Sequence, residues 1–260
     1  MSRAGAIMAK KAHALGIDIG GSGIKGAPVD LDKGAFADDR LRIATPDGAG
    51  PDDVADVVAQ IVEHFDLGTV PVGITVPAVV THGVVRSAAN IDRSWIDLDA
   101  EKLFSKRLGL EVHVVNDADA AGVAERHFGA AQGHDGLVVL TTLGTGIGTA
   151  VINDGDLVPN AELGHLEIDG HDAETRAAES VRDREDLSMP EWAERLQRYY
   201  RHLEDLIWPD LFVVGGGISK KADEFLPLLD IRTEIVPAQL KNKAGIIGAA
   251  RLAKKAAKHS

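Results

Sequence analysis

Two short stretches of this 260-residue chain repeat each other half a chain apart. Gly21-Ser22-Gly23-Ile24, with Ala27 after it, is matched by Gly144-Thr145-Gly146-Ile147, with Ala150 after it, at a constant offset of 123 residues. Each copy follows an apolar run, at 15–19 and at 137–140. Internal similarity at this spacing points to a duplicated domain. Each copy reads as strand, glycine turn and second strand, which is a hairpin. In the first, Ile17 and Ile19 flank Asp18, the chain breaks at Gly20 and Gly21, and a strand resumes from Ile24 to Val29. A turn rich in glycine is by itself only a turn. It also lets backbone N–H groups converge on an anion with no Cβ in the way. Ser22 adds a hydroxyl and Lys25 a mobile positive charge. Asp18, at the strand end beside the turn, suits a Mg²⁺ ion held through water, the usual companion of phosphates.

The pattern is not a Walker A loop, because Gly-x-x-x-x-Gly-Lys-Ser/Thr is absent. Nor is it a Rossmann fingerprint, since a strand rather than a helix follows the glycines. Two phosphate-gripping hairpins, one per half, facing each other across a cleft, describe the actin-like, ribonuclease-H-like α/β architecture. The expected fold is therefore a duplicated two-domain α/β chain with an interdomain cleft.

Composition removes several function classes. A net charge of −12 argues against non-specific nucleic-acid binding and against an anionic membrane surface. The chain has no cysteine, which excludes disulfides, cysteine nucleophiles and thiolate metal sites. No 18-residue apolar run is present, and residues 1–13 lack a signal-peptide core and read as a flexible tail. A cytoplasmic enzyme is the expectation.

Along the chain, 34–43 reads as a third, weaker strand and 46–51 as a loop. Val54, Val57, Val58, Ile61, Val62 and Phe65 make a helix from Pro51 to Phe65 with one buried face. Strands are expected at 70–76, 83–88 and 111–115, with a short helix at 103–108. A helix capped by Asn116 or Asp117 follows, with small faces from Ala118, Ala120, Ala121, Gly122 and Ala124. Residues 136–152 carry the second hairpin and 174–181 a helix. A longer helix at 188–208 has the stripe Trp192, Leu196, Tyr199, Leu203, Leu206 and Ile207. A buried strand at 211–214 leads through Gly215, Gly216 and Gly217 into a further helix, and 244–257 is the last helix.

Asp117 is the candidate general base. It stands just after a strand, where α/β sheets present ligands, and a carboxylate there can take a hydroxyl proton as that oxygen attacks phosphorus. The plain alternative is a helix cap; two phosphate turns in one chain favour the base. Asn90, Asn116, Glu162 and His165 are amides, a carboxylate and an imidazole near strand ends or turns, the groups that bind and discriminate sugars. His127, His134 and His171 lack the spacing of a zinc site.

These residues carry a resemblance. The chain resembles the ROK family of sugar kinases and regulators in the actin-like superfamily, and within it the polyphosphate glucokinase branch. The resemblance runs through Gly16-Ile-Asp-Ile-Gly-Gly-Ser-Gly-Ile-Lys25, Val80-Thr-His-Gly-Val-Val-Arg86, Ala89-Asn-Ile-Asp92 and Asn116-Asp-Ala-Asp-Ala-Ala-Gly122. It continues through Gly144-Thr-Gly-Ile-Gly148, Glu162-Leu-Gly-His165, Ile207-Trp-Pro-Asp-Leu-Phe212, Gly215-Gly-Gly-Ile-Ser219 and Ala244-Gly-Ile-Ile-Gly248. It implies Asp117 as the base for the 6-hydroxyl of glucose. It implies sugar binding by Asn90, Asn116, Glu162 and His165, with Glu174 as a looser match. Gly20, Gly21, Ser22, Gly23 and Lys25, then Gly144, Thr145 and Gly146, then Gly215, Gly216 and Gly217, match phosphate-donor loops.

The implied reaction is transfer from polyphosphate, with ATP as a possible second donor, to glucose O6, with Mg²⁺. The implied layout is a 14–115 domain, a 116–243 domain, a final helix at 244–257 returning to the first, and a homodimer. Typical ROK kinases follow the Glu-x-Gly-His motif with a cysteine-rich zinc site; this chain has no cysteine, so no zinc is expected. Ala78 stands where a glycine is common. Arg86, Arg93, Lys220, Lys221, Lys241 and Lys243 are candidates for a basic polyphosphate track. An ATP-dependent glucokinase, a sugar-sensing ROK regulator and a non-enzymatic actin-like interaction protein are the competing readings.

Overall fold

The computed structural model describes residues 13–88 and 91–258. The described residues fall into two units, one holding those up to Ala124 with those from Lys243 to Lys258, the other Glu125–Asn242.

In the first unit, β1 (Ala14–Gly20) and β2 (Gly23–Asp30) form the antiparallel hairpin, Gly20 opposite Gly23. The expected 34–43 strand is two short pieces, β3 (Ala35–Phe36) and β4 (Leu41–Ile43), each paired with β2 at a different register. The charged run Asp38, Asp39, Arg40 lies between them and is exposed. β5 (Val72–Val76) runs parallel to β1. The expected 83–88 strand is instead a small hairpin of β6 (Val80–Thr81) and β7 (Val84–Val85). Its turn residues His82 and Gly83 both have positive φ, 52° and 77°, which is the type I′ geometry that joins two strands tightly. β8 (Val112–Asn116) completes the sheet parallel to β5.

Helix α1 (Pro51–Phe65) forms as its sequence dictates. Pro51 fits the first turn, Asp52 and Asp53 oppose the dipole, and Asp66 ends it in the left-handed conformation. It buries Val54, Ala55, Val57, Val58 and Ile61. Helix α2 (Ala100–Leu108) starts earlier than the 103–108 expectation, because the Asp99 side chain accepts the Lys102 N–H at 2.9 Å and caps the helix there. The final helix, Ala244–Ala256, lies so close to β1 and β5 that a Cβ on Gly16 or Gly73 would overlap the carbonyls of Ile246 and Ala249. Helix α3 (Asp117–Phe128) follows β8 directly. A Cβ on Gly248 would strike the Ala120 carbonyl, so that glycine and the small α3 face allow close packing.

The second unit repeats the scheme. β9 (Leu137–Leu143) and β10 (Ile147–Asn153) are antiparallel, and β11 (Asp156–Val158) pairs with β10. A short hairpin, β12 (Glu167–Ile168) with β13 (His171–Asp172), follows. β14 (Leu211–Gly215) runs parallel to β9, and β15 (Glu234–Pro237) parallel to β14. The order β11-β10-β9-β14-β15 mirrors β3-β2-β1-β5-β8. β9 starts and ends 123 positions after β1, so the offset read from the glycines holds for whole strands.

Residues 174–181 are not one helix. They hold α4 (Glu174–Ala177) and the start of α5 (Glu179–Glu185), broken where buried Ala178 turns extended at ψ 154°. Helix α6 (Met189–Ile207) opens with a Ser188–Glu191 capping box and buries Trp192, Leu196, Tyr199, Tyr200 and Leu203. Leu206, expected on that stripe, is 55% exposed, and Ile207 is half-buried. The buried face turns instead through Tyr200 and Glu204, whose carboxylate accepts the Thr233 N–H. After Gly216 the expected helix is a 3₁₀ turn, Gly217–Lys221, and one α turn, Ala222–Phe225, with Pro227 just beyond. Each unit has its own apolar core. Among the described residues no helix is long and apolar enough to cross a membrane.

Candidate active site

The first glycine turn is spare in its own contacts. A Cβ on Gly21 would meet nothing within 4 Å, and the residue does not have positive φ. Gly144, its counterpart, is the same on both counts. Five other glycines with equally open surroundings, Gly48, Gly68, Gly109, Gly133 and Gly170, all have positive φ, which explains them. Neither backbone strain nor packing requires glycine at 21 or 144. What the two positions share is open space over a hairpin tip, where a ligand backbone can approach closely.

Around the first turn, Asp18 Oδ1 accepts the Thr75 hydroxyl at 3.0 Å, and Lys25 Nζ donates to Asp18 Oδ2 at 3.3 Å. Asp18 and Lys25 are directly opposite in the β1–β2 register. Arg42, delivered by β4, donates to the Ser22 carbonyl at 2.6 Å, and Thr45 donates to the Gly20 carbonyl at 2.6 Å. The Arg42 guanidinium covers Gly23, 2.6 Å from where a Cβ would stand.

Around the second turn the groups are different. Ser180 ties two carbonyls, through its N–H to Gly144 O at 3.0 Å and its hydroxyl to Thr145 O at 2.6 Å. Glu174 covers Gly146 and accepts the Ile147 N–H at 3.0 Å. At the third glycine run, Gly216 has φ 86° and its missing Cβ makes room for the Leu143 carbonyl. The Glu179 carboxylate stands 3.8 Å from the Cβ position of Gly217, and burial holds its pKa above the ordinary value.

Asn116 ends β8 and takes the cap role. Its Oδ1 accepts from Ala118 N at 2.8 Å and Asp119 N at 3.0 Å, while its Nδ2 donates to the Ala78 carbonyl at 3.2 Å. Asp117 follows, half-buried, with Oδ1 accepting the Ala118 N–H at 2.9 Å. In the second unit, Glu162 precedes the 3₁₀ turn Leu163–His165. His165 Nε2 lies 3.8 Å from Glu162 and Nδ1 lies 2.9 Å from Asp172. The hydrogen bond to Asp172, with the charges of Glu174 and Glu162, holds the His165 pKa above its ordinary value against the opposing effect of burial.

Residues 14–180 match the description of the ROK family. The chain belongs to the ROK family. It is 54% identical over 239 residues to the polyphosphate glucokinase of Mycobacterium tuberculosis, covering 92% of this chain and 90% of that one. The crystal structure of inorganic polyphosphate/ATP-glucomannokinase from Arthrobacter sp. strain KM superposes with TM-score 0.89 at 54% identity, covering 96% of this chain and 100% of the other. A ROK family glucokinase from Streptomyces griseus, in complex with glucose and AMPPNP, matches with TM-score 0.78 at 26% identity, covering 93% and 99%. The fold is the actin-like two-domain fold of ROK sugar kinases.

Within this ROK chain the structure brings Glu162, His165 and Glu174 into one neighbourhood of the second unit, and Asp18, Lys25 and the Gly20–Gly23 turn into one neighbourhood of the first. Asn90 lies outside the described residues. Of the basic-track candidates, Arg86 is engaged with Asp97 at 2.8 Å and Lys243 lies over the Phe36 ring. Arg42, Thr75, Asp172 and Glu179 escape a reading of the sequence. Arg42 and Asp172 reach their places through short strand pairings that no local motif signals.

Proposed function

We propose that this chain phosphorylates glucose at O6 with inorganic polyphosphate as donor, and that ATP serves as a second donor. The observation that carries phosphoryl transfer is the pair of open glycines, Gly21 and Gly144, each at the tip of a hairpin and 123 residues apart. The choice of polyphosphate and glucose is supported by the 54% identity to a polyphosphate glucokinase over most of both chains.

In this reading Asp117 accepts the proton of the 6-hydroxyl as O6 attacks the terminal phosphorus. The O6–P bond forms and the bond from that phosphorus to the bridging oxygen breaks. The donor leaves one phosphoryl unit shorter and carrying the bond's electrons. Because Asn116 fills the helix cap, Asp117 is not needed for that task alone. Asn90, Asn116, Glu162, His165 and Glu174 hold the sugar hydroxyls. The turns at Gly20–Gly23, Gly144–Gly146 and Gly215–Gly217 hold donor phosphates through backbone N–H groups.

Asp18 fits a Mg²⁺ ion held through water. Its two oxygens are already engaged by Thr75 and Lys25, which suits a carboxylate that accepts from bound water better than one that ligates directly. Mg²⁺ there supplies neutralisation of phosphate charge. We further assign the enzyme to the cytoplasm as a homodimer with no structural zinc.

A donor panel tests the reading. Purified protein with glucose and Mg²⁺ should release glucose 6-phosphate with polyphosphate. Turnover with ATP alone would leave the runner-up, an ATP-dependent glucokinase. Turnover with neither would remove the assignment.

A further inference from the structure

His165 is held from behind. The β12–β13 hairpin pairs Glu167 with Asp172 and so folds Asp172 back beside the 3₁₀ turn that carries His165. Asp172 then makes three bonds. Its Oδ2 meets His165 Nδ1 at 2.9 Å, its Oδ1 accepts the Glu174 N–H at 3.2 Å, and its carbonyl accepts the Thr175 hydroxyl at 2.6 Å. One carboxylate therefore joins the imidazole on one side to the first residue of α4 on the other.

We propose that Asp172 is a positioning residue for glucose, fixing the ring of His165 and the placement of Glu174 so that both meet sugar hydroxyls in one set geometry. The proposal rests on the sugar-binding roles assigned above to His165 and Glu174.

The chemistry follows from the ring. A neutral imidazole has one donor and one acceptor nitrogen, and a carboxylate on Nδ1 keeps the proton there. Nε2, 3.8 Å from the Glu162 carboxylate, is then an acceptor when the ring is neutral and a donor when it is protonated. The acidic groups facing His165 are Asp172 from β13, Glu174 from α4, and Glu162 from the segment before the 3₁₀ turn. They hold its pKa raised, so the imidazolium persists to higher pH than an isolated histidine would allow. A sugar hydroxyl oxygen thus meets an Nε2–H donor over a wider range toward neutrality. Loss of the Asp172 charge should move the His165 titration down. Freeing the ring and the start of α4 should weaken glucose binding more than donor binding.

The test uses the full chain and three variants. Imidazole NMR of substrate-free protein, with the His165 signal assigned by its loss in His165→Gln, should show a lower titration midpoint in Asp172→Asn than in wild type. Steady-state kinetics should show KM for glucose raised about 10-fold in Asp172→Ala and less in Asp172→Asn, with KM for polyphosphate within about 2-fold of wild type. Asp172→Glu should recover part of the glucose KM. The pH inflection of kcat/KM for glucose should move in the same downward direction as the NMR midpoint. An unshifted His165 midpoint in active Asp172→Asn overturns the proposal, as does an equal rise in both KM values. Wild-type protein that turns over no glucose with either donor removes the functional assignment, and with it the sugar role of Asp172, whatever the NMR shows.

Discussion

The two hairpins share a sequence offset and differ in turn and in charge: the first closes Gly20 on Gly23 around two residues, the second Leu143 on Ile147 around three. β1 and β9 have the same length at a constant offset, and both tips carry an open glycine. At the next glycine of each turn they part. The space over Gly23 is filled by the Arg42 guanidinium, and the space over its counterpart Gly146 by the Glu174 carboxylate. The Asp18–Lys25 pair of the first hairpin has no charged counterpart in the second: Thr141, 123 positions after Asp18, stands opposite Thr149, and its hydroxyl is buried against Tyr200 OH at 2.7 Å. Duplication therefore supplied two glycine turns with an open position at each tip. Side chains brought in by other elements set the two turns apart, a guanidinium at the first and a carboxylate at the second, and in the proposed reading this divides the work between donor and sugar.

The sharpest asymmetry is at Asp117, the proposed base. β15, which holds the place of β8 in the second sheet, ends at Pro237 and is followed by Ala238, so the second unit has no carboxylate at the matching strand end. Asp117→Asn should lower kcat by roughly 10²- to 10⁴-fold while glucose still binds by calorimetry. Near-normal kcat would move the base elsewhere.

Closed and open glycines should respond differently. Gly216 has φ 86° and the Leu143 carbonyl in its Cβ position. Gly216→Ala should cost about 1–3 kcal/mol for the conformation alone, with the overlap adding to it, read by urea unfolding. A variant as stable as wild type would contradict the geometry.

The charge contrast can be broken one turn at a time. Glu174→Ala should raise KM for glucose about 10-fold, more than it changes KM for the donor. Arg42→Ala should raise KM for polyphosphate only a few-fold, since an exposed guanidinium contributes about 1 kcal/mol or less, and should flatten its dependence on salt. Reversed effects, with Arg42 governing glucose and Glu174 the donor, would dissolve the division of labour.

Much of this was legible in the chain. The repeat at offset 123 gives the paired hairpins, and helix α1 is readable because proline, acidic first turn and apolar spacing agree. The 34–43 and 83–88 segments misread because short strands take their identity from partners, β2 for β3 and β4, and each other for β6 and β7. Leu206 departs from the stripe because at the helix end the buried face turns toward Glu204, which apolar spacing alone does not show. Arg42 and Asp172 were illegible for a related reason. Arg42 reaches the first turn only once β4 pairs with β2, and Asp172 reaches His165 only once a hairpin of two-residue strands closes.

The claim at the centre is that Gly21 and Gly144 are open for the donor rather than for the fold. The direct measurement is thermal unfolding and donor kinetics on the double variant Gly21→Ala/Gly144→Ala. An added Cβ meets no protein atom within 4 Å at either site, and neither φ is positive. The variant should melt no lower than wild type, since alanine in a compatible conformation stabilises by about 0.4–1 kcal/mol per site. Its KM for polyphosphate should nonetheless rise by at least about 10-fold, because methyl groups then stand where phosphate oxygens approach the backbone. Unchanged donor kinetics in the stably folded variant would contradict the account.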